Sequence, residues 1–167
     1  MTDMITTDRL ILRRFTDADV PVVAAAMQDP NVIGKLLWIP SPYGTAEACD
    51  FVTNIAIPDP GTFAITHKGD LIGSISVGTR LGYWLVPDAW GRGVAFEAAY
   101  AVLNWHFSRR QAPISAGYVE DHPRSRRILE KLGFRDCDQR QEYSAPLGRS
   151  VAFQDMSLSH AGWKESA

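Results

Sequence analysis

Two hydrophobic rhythms run along the chain. Residues 9–15 (RLILRRF) alternate apolar with polar and set Leu10, Leu12 and Phe15 on one face of a strand. Thr16-Asp17-Ala18-Asp19 then reads as a helix start, with Val20, Val23, Ala24 and Met27 at helical spacing; Pro21 places that start near Asp19. Residues 29–44 carry Pro30, Pro40 and Pro42 beside Trp38 and Tyr43 and read as an irregular loop. Thr45 serves as cap for a second helix over 46–57, closed by Pro58 and Pro60. Strands follow at 62–66 and 71–77, joined by the hairpin signal His67-Lys68-Gly69-Asp70, and a third at 81–86. Beyond Trp90-Gly91-Arg92-Gly93 a helix runs to Ser108, with few polar positions (Glu97, Asn104, Ser108), so most of its circumference is expected to be buried. A strand at 114–119, a helix at 123–132 and two strands at 135–143 and 151–158, turning around Pro146-Leu147-Gly148, complete the pattern. Antiparallel hairpins with one β-α-β crossover predict an α/β fold, α+β-like in its mixed sheet, and one domain spanning 1–167.

Composition narrows the class. With 167 residues, 46% hydrophobic and 22% charged, the chain is long enough for a globular core. A formal net charge of −2 argues against a nucleic-acid partner. Cys49 and Cys137 are far apart and form no CxxC; with scattered His67, His106 and His160 they indicate no disulfide framework and no metal. The start carries Asp3 and Asp8 without an apolar stretch, and no run reaches the roughly 20 residues of a membrane helix. A cytoplasmic protein with no membrane partner is expected.

Candidate chemistry concentrates in two segments. Residues 82–95 pass from a strand through a glycine turn into a helix. Glycines let backbone N–H groups approach an anion, and a helix N-terminus adds unpaired N–H groups and a favourable dipole. That describes a phosphate or pyrophosphate cradle with Arg92 as an extra positive contact; Gly91 and Gly93 making a turn and nothing more is the alternative. A dinucleotide fingerprint fails because Phe96 holds the third glycine's place, and no G-K-[ST] triplet occurs for a P-loop. In residues 118–134, Glu120, Asp121, His122 and Ser125 cluster where a strand hands over to a helix that opens on Pro123 and stops at Gly133. The competing reading of this segment is a solvated charged face.

Together these segments resemble the GNAT superfamily of N-acetyltransferases, in particular its RimJ/RimL-like branch. The matching pieces are Thr7-Asp8-Arg9-Leu10-Ile11-Leu12-Arg13, the stretch 82–95, and Ser125 to Phe134 (SRRILEKLGF). The resemblance implies a single-domain fold whose mixed, mostly antiparallel sheet is flanked by helices and splays open after strand 81–86. Acetyl-CoA, as acetyl donor, would lie in that gap, its pantetheine arm against the backbone of Leu85 and Val86. Its pyrophosphate would lie on Gly91, Arg92, Gly93, Val94, Ala95 and Phe96, with the Trp90 that is usual in this branch beside them. Two departures stand out. His122 occupies the place of a cofactor-binding Asn, and its protonation is expected to vary near neutral pH. Leu129 occupies the place of a Tyr acid and cannot do its work. The resemblance to this branch, which has a similar Ser at the position of Ser125, implies Ser125 as the acid that protonates the departing thiolate, the alternative being a hydrogen-bonding residue of the helix start.

Transfer to nitrogen needs a neutral amine, a polarised thioester and a proton for the thiolate. Backbone N–H near Leu85 and Val86 fits the second need, and Glu120 is the first candidate base, with Asp121 and His122 behind it. Acceptor specificity is expected from the 29–44 loop and the 144–149 turn. The resemblance leaves the acceptor open between small-molecule amines and a peptide or protein N-terminus. It also leaves open monomer or homodimer, and a non-catalytic acyl-CoA sensor in place of an enzyme.

Overall fold

The computed structural model describes residues 4–166; Asp3 and the outermost ends of the 1–167 domain reading lie outside the described residues. Two sheets form the framework. The first has the order β1(Ile5–Thr6), β2(Ile11–Arg13), β3(Thr62–His67), β4(Asp70–Val77) and β5(Leu81–Leu85), every neighbour antiparallel. The second has the order β6(Ile114–Val119), β8(Arg149–Leu158), β7(Arg135–Ser144), also antiparallel.

Helices cover both faces of the first sheet. β3 shows why: five of its six residues are buried, and alternate side chains serve opposite sides. Phe63 and Ile65 join α4(Val94–Phe107) in one core cluster, while Ala64 joins α1(Val20–Met27) and α3(Thr45–Asp50) in another. α4 is the central helix, with Ala98, Ala99, Val102 and Leu103 fully buried, as its sparse polar pattern predicted.

Several local expectations are corrected. Residues 9–15 form only the three-residue β2, because Arg14 leaves the strand to donate to the carbonyls of Ala56, Ile57 and Thr62. A 3₁₀ turn, Asp17–Asp19, precedes α1, and Pro21 sits in the first turn of α1, where a missing N–H costs nothing. Asp19 anchors this entry: buried, it accepts both guanidinium nitrogens of Arg13 at 2.7 and 2.8 Å. The 29–44 loop holds a short helix, α2(Pro30–Ile33), capped by Asp29, which accepts from the Asn31 N–H at 2.8 Å. Gly44 rather than Thr45 caps α3, its N–H donating to Glu47 Oε2 at 2.8 Å, and α3 continues as a π-turn over Phe51–Ala56. α5(Pro123–Lys131) follows β6 as expected, and a final helix, α6(His160–Ser166), was not foreseen.

The joint between the sheets positions the site. Arg80, just before β5, forms a parallel bridge with Ser115 of β6, and the Ser115 N–H donates to the Thr79 carbonyl at 3.0 Å. Further along, β5 has β4 as its neighbour and β6 has β8, so the two strands start together and then part.

Candidate active site

Where β5 and β6 part lies an open groove of about 660 Å3. Tyr83, Trp84 and Leu85 of β5 form one wall, and Asp121, His122, Arg124, Ser125, Arg127 and Ile128 at the start of α5 form the other. The glycine turn and first turn of α4 close one end, and Asn31, Val32, Lys35 and Leu36 of the α2 region overhang it.

The glycine turn has a definite geometry. Gly91 (φ +70°) and Gly93 (φ +76°) are both left-handed, flanking Arg92. An added Cβ at Gly91 would meet nothing within 4 Å, so backbone conformation rather than lack of room calls for glycine there. The first helical bond of α4 runs from the Glu97 N–H to the Gly93 carbonyl at 3.0 Å. The N–H groups of Val94, Ala95 and Phe96 therefore precede any intrahelical acceptor, and Gly93 as cap has no side chain to satisfy them. Unpaired amides, a left-handed turn and the helix dipole converge on one spot at the groove's end, an arrangement that suits a phosphate group.

The β5 wall departs from expectation in one detail. The Val86 N–H donates to the Ile72 carbonyl of β4 at 2.9 Å and so is not free for a ligand. Antiparallel alternation then turns the peptide groups of Tyr83 and Leu85 away from β4, toward the gap. The Leu85 carbonyl accepts from Trp90 Nε1 at 2.9 Å, which leaves the Leu85 N–H as a donor on the gap side at the glycine-turn end of β5. Val86 and Arg92 border a separate cavity of about 100 Å3 together with Arg9, His67 and Asp88, and neither lines the groove itself.

On the opposite wall, His122 is the residue before α5, with its N–H on the Val119 carbonyl at 2.8 Å. Its Nδ1 is buried without a hydrogen-bond partner among the described residues. Burial, and then the neighbouring Lys35 charge, push its pKa below the ordinary 6.5. Both effects favour the neutral ring. Ser125 lies one turn in and accepts a long, 3.4 Å hydrogen bond from the Tyr83 hydroxyl, which crosses the groove from β5. Burial raises the Tyr83 pKa, so this phenol keeps its proton. Glu120, the first candidate base, is exposed and does not line the groove, whereas Asp121 and His122 do. Leu129 is buried in the core and does not line the groove.

Tyr83 is the groove residue that sequence reasoning passed over. It stands in the quoted 82–95 stretch, but its pairing with Ser125, 42 positions away, has no local signal. The 29–44 loop and the 144–149 turn do meet: an added Cβ on Gly34 would lie 3.4 Å from Leu147 Cδ2. Trp38 of that loop stays 58% exposed, with its ring edge-on to Phe153. Among the described residues no group of side chains able to hold a metal occurs, and no helix is long and apolar enough to cross a membrane.

Comparison with known proteins agrees with this geometry. The family described as "Acetyltransferase (GNAT) domain" matches residues 9–135. A Bacillus subtilis (strain 168) protein named uncharacterized N-acetyltransferase YoaA is 27% identical over 158 residues, covering 81% of this chain and 84% of that relative. RimL, a ribosomal L7/L12 α-N-protein acetyltransferase solved in complex with coenzyme A, superimposes with a TM-score of 0.80 at 16% identity, covering 94% of this chain and 98% of its own. The microcin C7 self-immunity acetyltransferase MccE, solved with acetyl-CoA and AMP, gives a TM-score of 0.76 at 16% identity, covering 92% and 93%. The family match spans β2, the glycine turn of α4 and the whole of α5. The chain belongs to the GNAT acetyltransferase family and is an acetyl-CoA-dependent acetyltransferase.

Proposed function

We propose that this enzyme acetylates a primary α-amine, as on a peptide or protein N-terminus, in the groove between β5 and β6. The observation that carries this reading is the separation of those strands beside the unpaired amides of α4. Acetyl-CoA supplies the activated acetyl group. The α4 amides and the Gly91–Gly93 turn hold its pyrophosphate, and the Leu85 N–H lies where it polarises a carbonyl in the groove. Ser125, held by the hydrogen bond from Tyr83, gives a proton to the leaving sulfur and regains one from solvent in the open groove. Neutral His122 takes the proton of the amine, with Asp121 beside it; Glu120, exposed beyond the groove, is the weaker candidate.

The choice of an α-amine follows from base strength. An α-amine has a pKa of about 7.7–8.0 and is partly neutral at physiological pH, whereas lysine, near 10.4, is almost wholly protonated. A histidine held below 6.5 is a weak base, suited to the former. RimL, a structural neighbour, carries an α-N-protein specificity in its name, which supports the same choice.

Thermal unfolding with acetyl-CoA, CoA, NAD and ATP tests the donor. Saturation to a hundred times Kd should add about 2.7 kcal/mol, roughly 5–10 °C at this size, for the two CoA forms alone. Thiol release is then measured with a peptide bearing a free N-terminus and with an N-terminally blocked peptide containing lysine. Release with the first alone supports the reading. Release with the second alone overturns the α-amine, and stabilisation by acetyl-CoA without release from any amine identifies a sensor.

A further inference from the structure

The segment before β2 is tied to the start of α4 by a set of hydrogen bonds that the chemistry above does not use. Glu97 stands in the first turn of α4, where its carboxylate would repel an anion bound at that terminus. Arg9 covers it, with Nε and Nη2 at 2.7 and 2.6 Å from Glu97 Oε2. The Arg9 N–H and the Thr7 hydroxyl donate to the other oxygen, Oε1, at 3.1 and 2.5 Å. The third guanidinium nitrogen, Nη1, donates to the Arg92 carbonyl at 2.9 Å, between the two left-handed glycines. Arg9 borders the small cavity behind the turn and not the groove. It therefore holds the Arg92 carbonyl on the far side of the turn, away from the place where the α4 amides converge. Gly91 has open space around it and neither glycine carries a side chain to restrain the backbone, so the bond from Arg9 to the Arg92 carbonyl is an external restraint on the peptide planes of this turn.

We infer that Arg9 is a positioning residue for pyrophosphate recognition: with Thr7 it neutralises Glu97 and locks the Arg92 carbonyl outward, so that the glycine turn presents only N–H groups to the groove. The inference rests on the assignment of the α4 terminus to the pyrophosphate of acetyl-CoA. It accounts for the Thr7-x-Arg9 pair, which touches neither the groove nor a reacting atom. It also accounts for an acidic residue at a helix end that binds anions: Glu97 is the anchor of the latch.

The test compares two donors by intrinsic tryptophan fluorescence, since Trp84 and Trp90 line the groove. One is acetyl-CoA; the other is acetyl-pantetheine, which lacks the pyrophosphate and the adenosine. In Arg9→Gln, acetyl-CoA binding should weaken about tenfold or more while acetyl-pantetheine binding stays within about twofold of the parent, for a Kd change that corresponds to at least one step of affinity. Replacing Glu97 by Gln in the same protein should recover part of the loss, because the uncovered carboxylate is then gone. Arg9→Lys should recover little, since one ammonium cannot span Glu97 and the Arg92 carbonyl together. Full recovery in Arg9→Lys would instead make Arg9 a direct phosphate ligand and overturn the latch. Equal loss of both donors in Arg9→Gln, or loss of neither, overturns it as well. If the parent protein itself binds acetyl-CoA no tighter than acetyl-pantetheine, the pyrophosphate assignment fails, and that outcome is separate from any effect of Arg9.

Discussion

Two helices begin at the groove, and they begin differently. α4 starts on a left-handed glycine, is buried over most of its circumference, and offers backbone N–H groups. α5 starts on His122 and Pro123, buries Leu129, and leaves Arg124, Arg126 and Arg127 exposed. Proline at its first position removes one donor, so this terminus is poorer in free amides. What it offers is side chains: His122 before the helix and Ser125 one turn in. In the proposed function, the first terminus, held by a helix that lies in the core, serves an anion through backbone groups, and the second serves proton transfer through side chains.

The largest expected effect breaks the first terminus. Gly93→Glu puts a carboxylate where an anion should bind and forces a non-glycine residue to φ +76°, a conformation costing about 1–2 kcal/mol. Losing two charge-assisted bonds at about 1.5–3 kcal/mol each means at least a hundredfold weaker acetyl-CoA binding. Thermal unfolding without ligand measures the strain, and a fluorescence titration measures the affinity. Ser125→Ala, at the second terminus, should give the opposite pattern. The Kd for acetyl-CoA is expected to hold while kcat falls about a hundredfold, the lower range for loss of a general acid. An unchanged kcat in Ser125→Ala would return Ser125 to a purely structural role at the helix start.

Tyr83→Phe sharpens the same contrast with a smaller effect. It removes the hydroxyl that donates to Ser125 across the groove and keeps the ring. A fall in kcat of about tenfold is expected, within the range of one hydrogen bond to a reacting group. In the Ser125→Ala background Tyr83→Phe should cost almost nothing more, since both act through one proton path. Additive losses would mean that Tyr83 works independently of Ser125.

The two termini were unequally legible in the sequence. The glycine turn proposed as the anion cradle could be read because Gly91 and Gly93 between a strand and a buried helix are a local signal. The same holds for β3 to β5, whose alternation and connecting turns lie within a few residues of one another. The proton path could not be read in full, because it depends on pairs distant in the chain: Tyr83 with Ser125, and Lys35 with His122. Arg9 and Glu97 form another such pair, joining the segment before β2 to α4. Val86 was misjudged for a related reason. Whether a strand residue turns its N–H toward a gap or toward its neighbour is set by register, and register shows only once β4 and β5 are paired. Short elements such as α2 and β1 were missed because a single turn or two residues carry too little periodicity to register.

The smallest effect on stability is expected from His122→Asn, which also separates acid–base duty from packing. Asparagine is a strong N-cap, whereas the His122 side chain makes no cap bond, so the replacement should stabilise α5 at pH 7, by less than about 2 kcal/mol. It cannot take a proton. His122 has its pKa depressed below 6.5 by burial and by Lys35, so above that value it is neutral and able to act as a base. As pH falls through the depressed pKa, that ability is lost. An acceptor α-amine titrates separately, at about 7.7–8.0. The logarithm of kcat against pH should therefore fall with one slope below pH 8 and steepen further below 6.5 in the parent, and the steepening should be absent in His122→Asn. Stability follows the same sign. Below pH 6.5 the unfolded chain binds a proton that the folded His122 resists, so the parent loses stability on acidification. His106, buried and likewise depressed by desolvation and Arg110, contributes in the same direction and remains in the variant. The acid-induced drop in Tm should thus be reduced in His122→Asn but not abolished. A kcat profile that keeps its steeper limb in His122→Asn would assign the amine proton to Asp121, which lines the same wall.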